Sequence, residues 1–165
     1  MQAPVSDREY PMAMDPNYNS NLQIATNLVA EGKSEEMMPR HVFWAPITAQ
    51  RFLDLQSIGG RDDYFSSDFT DTELTERLRH VGTLVSSLQH MLVAFSGCDE
   101  YIPSHIDKRL LTNRLVQAMN ADCGVGEEKV AQALYLDTAN HNLSDGPEDA
   151  GRFVKCVTEL LKSVS

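Results

Sequence analysis

The 165-residue sequence has no long hydrophobic run, no excess of basic residues and few cysteines. No apolar stretch approaches the roughly 20 residues that a membrane-spanning helix needs. The amino-terminal segment MQAPVSDREY lacks the basic and then apolar layout of a signal peptide. Basic residues number 14 against 24 acidic ones, a formal net charge of −10, which argues against nucleic acid or an anionic membrane as a partner.

The cysteines and histidines show no spacing typical of disulfides or metal sites. Cys98, Cys123 and Cys156 are odd in number and form no C-x-x-C pair, so we expect free thiols in a reducing compartment, the cytoplasm. No glycine-rich phosphate loop occurs, which disfavours a flavodoxin-type binding domain. We predict neither a cofactor nor a metal. No H-E-x-x-H metal-binding spacing occurs at four of the histidines: His41, His80, His90 and His105.

The chain contains one short, unbroken apolar run that predicts a buried strand. It covers Met91 to Phe95 and stops at Ser96-Gly97, after which Asp99 and Glu100 follow at once. A run of this length bounded by glycine is typical of a strand covered on both faces of a parallel sheet. Functional groups in open α/β sheets lie just beyond the carboxyl ends of such strands, which is where Asp99 stands.

The second half of the sequence alternates strand and helix, the pattern of a parallel α/β sheet. The 42% hydrophobic content and the length favour one globular domain. A second strand is predicted over residues 130–137, and Gln2 to Val5 has the composition of the tail of a strand. In the first half, we expect a helix over residues 17–32 capped by Ser20, and short helices after Thr48 and after the Thr70-x-x-Glu73 capping box. In the second half, Ile102-Pro103 is expected to open a helix with Ser104 and Asp107 as its cap. A final helix is expected with Pro147 in its first turn and with an apolar face of Phe153, Val157, Leu160, Leu161 and Val164.

Asp99 and His141 each follow a predicted strand. Since neighbouring parallel strands lie about 4.8 Å apart, the two loops are expected to meet. A carboxylate on one imidazole nitrogen leaves the other nitrogen free as a general base, the acid–base half of a Ser-His-Asp triad, in the α/β-hydrolase order. Asp99 could equally cap the following helix, Glu100 is the weaker acid candidate, and an isolated loop histidine is more often ordinary.

Four segments resemble one branch of the α/β-hydrolases. SGCDEYIP resembles the acid loop after a strand, and ANHNLS resembles the histidine loop before the last helix. Together with QAPVSDRE and RDDYFSSDFTD, they are similar to the fungal and plant family that includes the siderophore esterases acting on fusarinine-type ester bonds. The resemblance covers the whole chain but only the C-terminal half or so of a family member. It implies about three parallel strands with flanking helices, a single truncated domain over residues 1–165, and a lid-like helical insertion over residues 15–82.

By this resemblance Asp99 is the triad acid, His141 is the triad base, and the substrate is a small-molecule carboxylic ester, with a hydroxamate siderophore as one candidate. The nucleophile is missing, because no G-x-S-x-G occurs in the sequence. Ser96 and Ser144 both lack the first glycine of that motif. We therefore expect the elbow upstream of Met1 and no esterase activity from this chain alone, so its status as an enzyme stays open. The alternative is a non-catalytic remnant that binds a ligand or a partner and self-associates through an unpaired sheet edge.

Two other features admit a functional and a structural interpretation. Cys98 stands beside Asp99, but without an elbow or a base it is expected to be a packed thiol. Ser66 and Ser67, with Tyr64 and Phe65, could line a substrate pocket, but turn residues that pack the insertion are the simpler interpretation.

Overall fold

The computed structural model of the protein describes residues 1–84, 90–124 and 129–163. Two compact units divide the chain: the sheet unit, Met1–Val5 with Ser67–Ser165, and the helical unit, Ser6–Ser66. In the part described, the elements in chain order are α1 (Glu9–Met14), α2 (Tyr18–Ala30), α3 (Ala49–Gln56), α4 (Asp71–Leu78), a 3₁₀ helix (Arg79–Leu84), β1 (Met91–Ser96), α5 (Lys108–Met119), β2 (Ala131–Leu136) and α6 (Pro147–Ser163).

The sheet unit has the predicted parallel α/β arrangement. β1 and β2 pair in parallel, with Met91 opposite Ala131 and Ser96 opposite Leu136. The two strands end in register, so the turns that follow them leave from the same edge of the sheet. β1 is buried from Val93 to Ser96, as expected for the end of its apolar run and the serine that follows, and α5 packs against both strands.

The amino-terminal segment lies along the other edge of β1. The terminal amino group donates to the carbonyl oxygen of Leu92 at 2.7 Å, and Ala3 N–H donates to the carbonyl of Ala94 at 2.8 Å. The expected third strand is reduced to one parallel bridge between Gln2 and Ala94. Ala3 has φ 47°, in the left-handed region, and this turns the backbone away from an extended path.

The capping predictions are confirmed at three helix starts. The Thr48 hydroxyl accepts from Arg51 N–H at the start of α3. Thr70 and Glu73 form both bonds of a capping box at the start of α4. Pro147 is the first residue of α6, a position at which its missing N–H costs nothing.

Two predicted helix starts are wrong. α2 begins at Tyr18, and Ser20 lies inside it and donates its hydroxyl to the carbonyl of Asn17. Ile102-Pro103 opens no helix, because α5 begins at Lys108 after Asp107 accepts from Leu110 N–H. Residues 101–107 form turns and irregular backbone instead.

The apolar face predicted for α6 is only partly covered. Of the predicted residues, Leu161 is 62% exposed, whereas Phe153, Val157 and Leu160 are half-buried. Val154, which is outside the predicted face, is also 62% exposed. α6 packs against β2. A single strand offers too little surface to cover the whole apolar face of this helix. Val164 lies outside the described residues.

The helical unit has its own core. Five buried residues, contributed by α2, α3 and the segment between these helices, form it: Ala25, Met38, Ile47, Ala49 and Phe52. A fully buried ion pair joins Arg8 to Asp63 at 3.0 Å. The unit ends at Ser66, so α4 and the 3₁₀ helix, which fall within the predicted insertion 15–82, belong to the sheet unit.

Candidate functional site

The turn that leaves β1 is fastened to the chain that leaves β2. Gly97 N–H donates to the carbonyl of Leu136 at 2.7 Å, and Cys98 N–H donates to that of Ala139 at 2.9 Å. A Cβ at Gly97 would overlap the backbone of Asp137, so glycine is required for this close approach. The two turns therefore lie side by side, as the parallel pairing predicted.

Asp99 is buried at this edge, with 2% of its surface exposed. Its Oδ1 accepts the backbone N–H of Tyr101 at 3.0 Å, and its Oδ2 lies 2.9 Å from Nδ1 of His141. The Lys108 ammonium, from the first turn of α5, donates to the carbonyl oxygens of Gly97 and Asp99 at 2.9 Å each. The Asp99 carboxylate therefore makes two hydrogen bonds, and the backbone carbonyl of Asp99 is bound by the Lys108 ammonium.

The imidazole of His141 is oriented by Asp99 and remains reachable, since 28% of its side chain is exposed. An ionised carboxylate at Nδ1 favours the tautomer with the proton on Nδ1 and leaves the lone pair on Nε2. Within the described ranges, no hydrogen bond to Nε2 occurs. The ring of Tyr101 packs edge-on against the imidazole, with ring centroids 4.9 Å apart. The arrangement can accept a proton at Nε2 and stabilise the resulting imidazolium.

The backbone of His141 is held on both sides. Its N–H donates to Oε2 of Glu100 at 3.0 Å, and its carbonyl oxygen accepts from Nε2 of Gln2 at 2.6 Å. The His141 N–H is the main reason that the pKa of the Glu100 carboxyl lies below its ordinary value of 4.5. Glu100 is therefore next to the imidazole but contacts its backbone, whereas Asp99 contacts the ring.

The histidine loop is tied at both ends. Asn140 accepts the backbone N–H of Ser144 at 2.8 Å and donates to its hydroxyl at 2.7 Å. Leu143 takes φ 58° and packs against the apolar cluster at the strand ends. A left-handed leucine is strained, and such strain persists where the surroundings fix the backbone.

Sequence reasoning named Asp99 and His141, which the structure brings together, and it missed three contacts around them. The sequence pattern places Gln2 in the tail of a strand and favours Glu100 only as a second acid, and it predicts no role for Lys108. The adjacency of Glu100 to Asp99 was a usable signal. Nothing in the local sequence pointed to Gln2 or Lys108.

Cys98 and Ser66 differ from each other in burial. Cys98 is exposed, so the prediction of a packed thiol is wrong; its Sγ lies 3.5 Å from the carbonyl oxygen of Asp137. Ser66 is fully buried, and its hydroxyl donates to Oδ1 of Asp63. That environment supports the structural interpretation of Ser66.

Across residues 1–84, 90–124 and 129–163, no helix has the length and apolar character needed to cross a membrane.

Comparison with curated proteins gives relatives about twice as long. The chain is 28% identical to the fusarinine C esterase sidJ of Aspergillus fumigatus, over 88% of this chain and 48% of that protein. It is 27% identical to the UPF0613 protein PB24D3.06c of Schizosaccharomyces pombe, over 97% and 52%. It is also 38% identical to the esterase AN6793 of Emericella nidulans, over 46% and 22%. The chain thus spans about half the length of the first two relatives.

Comparison with solved structures supports the same relationship. The siderophore hydrolase EstB from Aspergillus fumigatus superposes with a TM-score of 0.75 at 26% identity, over 99% of this chain and 56% of that chain. This match supports an α/β-hydrolase-type fold, present in part. The sequence also matches, over residues 1–162, the family described as "Protein of unknown function (DUF1749)". The chain therefore belongs to the DUF1749 family, a hydrolase lineage of α/β-hydrolase type that includes siderophore esterases.

Proposed function

We propose that this chain carries the acid and the base of a carboxylic ester hydrolase, with Asp99 as the triad acid and His141 as the triad base. The observation that carries the proposal is the 2.9 Å contact between Nδ1 of His141 and Oδ2 of Asp99, at the edge where both strands end. The buried carboxylate and the accessible imidazole have the properties that these roles need.

The chemistry would proceed through Nε2 of His141. Nε2 removes the hydroxyl proton of a serine as the serine oxygen bonds to the ester carbonyl carbon. The imidazolium then gives that proton to the leaving alkoxide as the carbon–oxygen ester bond breaks. Water repeats both steps to release the acid and the serine. Asp99 stabilises the imidazolium by charge and fixes the tautomer throughout.

The serine is the part that these 165 residues do not supply in a recognisable motif. No G-x-S-x-G occurs in them, and we infer that the chain alone does not turn over esters. The first two curated relatives extend over about twice the matched region, which leaves room for an elbow in a complete domain.

The substrate proposed is a small-molecule ester acted on in the cytoplasm. The names of sidJ and EstB favour a hydroxamate siderophore among such esters. The net charge of −10 makes nucleic acid an unsuitable partner. We also propose that the helical insertion over residues 15–82 is lid-like, as the resemblance implies.

A chimaera tests the acid and base assignment. The part of fusarinine C esterase sidJ that precedes the matched region is fused to Met1 of this chain, and ester hydrolysis is measured. Activity should appear and should fall by about 10³-fold or more in His141→Ala and Asp99→Asn, while the control His105→Ala keeps it. An active chimaera that tolerates both changes would overturn the assignment. Appreciable p-nitrophenyl ester turnover by the 165-residue chain, lost on His141→Ala, would refute the inactivity.

A second candidate is a non-catalytic remnant that associates with another copy of itself. The observation in its favour is the apolar surface of α6, where Val154 and Leu161 are 62% exposed. Exposed apolar surface and open strand edges both favour association. Size-exclusion chromatography over a concentration series discriminates, since a stable monomer at every concentration counts against it.

A further inference from the structure

We propose that Gln2 and Glu100 are positioning residues that set the direction of the His141 imidazole by holding its backbone. The role goes beyond the acid and base assignment and rests on the proposed function for its catalytic meaning. The contacts are with the two polar groups of one residue: the N–H donates to Glu100 at 3.0 Å, and the carbonyl accepts from Gln2 at 2.6 Å.

Two separate stretches of the chain converge on His141: the amino-terminal segment, and the turn that carries both Asp99 and Glu100. Gln2 comes from the amino-terminal segment beside β1, Glu100 from the turn after β1, and Asp99 holds the ring. The separations along the sequence are 139, 41 and 42 residues. Bringing residues that are so far apart in sequence together costs conformational entropy, which the contacts with His141 must offset.

The position of the His141 backbone matters because the imidazole is attached to the Cα atom through the Cβ atom. Asp99 fixes rotation about the side-chain bonds, but it cannot fix the position of the Cα atom itself. Catalytic groups need placement within about 0.5 Å and 10–20°. Bonds on both sides of the His141 Cα limit the rotation of its two adjoining peptide groups, and Nε2 moves with them.

The two contacts differ in chemistry, which makes near-isosteric substitutions informative. Gln2 must donate, so Gln2→Glu keeps the length and removes the donor. Glu100 must accept, so Glu100→Gln keeps an accepting oxygen, whereas Glu100→Leu removes it. Glu148→Leu, at an exposed position in the first turn of α6, matches the charge change of Glu100→Leu without removing a hydrogen bond of His141.

The experiment measures His141 by ¹⁵N NMR in the 165-residue chain, so it needs no turnover. The readouts are the imidazole tautomer and the amide exchange rate of His141, with β1 amides as the reference for global stability. In Glu100→Leu the His141 exchange rate should rise about tenfold relative to the β1 amides. In Gln2→Glu the ring signal should shift from the Nδ1-protonated form toward a mixture. Glu100→Gln and Glu148→Leu should resemble the wild type.

Values within twofold of the wild type in Gln2→Glu and Glu100→Leu would overturn the proposal, as would an equal rise at His141 and throughout β1. If Gln2→Glu does not fold, Gln2→Met supplies the same test. A sidJ chimaera that stays active in His141→Ala and Asp99→Asn, together with these NMR changes, would remove the catalytic assignment but leave the backbone contacts established. A chimaera that loses activity in His141→Ala and Asp99→Asn, together with unchanged NMR values in Gln2→Glu and Glu100→Leu, would leave Asp99 and His141 as the acid and base. It would show that Gln2 and Glu100 do not position the imidazole.

Discussion

Thr138 donates both its backbone N–H and its hydroxyl to one carboxylate oxygen, Oδ2 of Asp149, at 2.7 and 2.9 Å. Thr138 is two residues beyond β2, and Asp149 is buried in the first turn of α6. An acidic residue at this end of a helix is also favoured by the helix dipole. The pair anchors the start of the histidine loop to the helix that follows it.

This anchor predicts a dependence of stability on acid pH. The Thr138 backbone N–H, and then its hydroxyl and Arg152, hold the pKa of Asp149 below its ordinary value of 3.8. The unfolded chain therefore binds the proton at higher pH than the folded protein. The resulting stability is fully present above the ordinary pKa and is lost as pH falls through the folded pKa.

Asp149→Asn should remove this acid sensitivity. The free energy of unfolding, from urea titrations at a series of pH values from about 5 to 2, should fall less steeply with acid in the variant than in the wild type. Glu148→Gln removes a neighbouring carboxylate from the same turn and should keep the wild-type slope. Equal slopes for Asp149→Asn and the wild type would contradict the anchor.

Two glycines should respond in opposite ways to a methyl group. Gly97→Ala places a Cβ against the backbone of Asp137, whereas at Gly151, within α6, no described atom outside the neighbouring backbone of the helix lies within 4 Å of the added Cβ. Gly97→Ala should cost about 2 kcal/mol or more, since the paired turns must separate. Gly151→Ala should stabilise by about 0.5–1 kcal/mol through helix propensity. Thermal unfolding of both variants measures whether each substitution lowers or raises the stability of the protein. An unchanged stability in Gly97→Ala would show that the two turns are not held together at Gly97.

Lys108 should matter more than other lysines of the sheet unit. Its ammonium joins the carbonyls of Gly97 and Asp99, so Lys108→Met should lower the free energy of unfolding by about 1–2 kcal/mol. Lys155→Met removes an exposed lysine whose Nζ lies 3.9 Å from Oε1 of Glu159. This change should alter the free energy of unfolding by less than about 0.5 kcal/mol. Urea denaturation compares the two, and equal effects would show that Lys108 does not support the acid turn.

The pairing of Asp99 with His141 was predictable because its cause is general. Each residue follows a strand, parallel strands end at one edge, and β1 and β2 end in register. The contacts of Gln2 and Lys108 were not predictable, because each depends on where a distant backbone carbonyl comes to rest. Sequence periodicity carries information about faces of helices and strands, and none about such single carbonyls.

The wrong start of α5 has a similar cause. Ser104 and Asp107 are both good capping residues, and Pro103 suits a first helical turn, so the sequence offered two starts. Ile102 and Ile106 are both buried, and Ile106 N–H bonds back to the carbonyl of Pro103. Tertiary packing of these isoleucines holds a turn there, and the helix begins after the later cap.

The capping box of α4 gives the last prediction. Thr70 accepts from Glu73 N–H, and Glu73 accepts from Thr70 N–H at 2.7 Å. α4 packs against α5 through a face on which Leu74 and Leu78 are buried, so fraying of its first turn weakens the support of α5. Thr70→Ala should lower the free energy of unfolding by about 1 kcal/mol. Thr158, exposed within α6, donates among the described residues only to the carbonyl of Val154, so Thr158→Ala should be neutral or stabilising by a few tenths of a kcal/mol, about the propensity gain. Paired urea titrations decide it: a Thr70→Ala midpoint at or above that of Thr158→Ala would mean that the box does not stabilise α4.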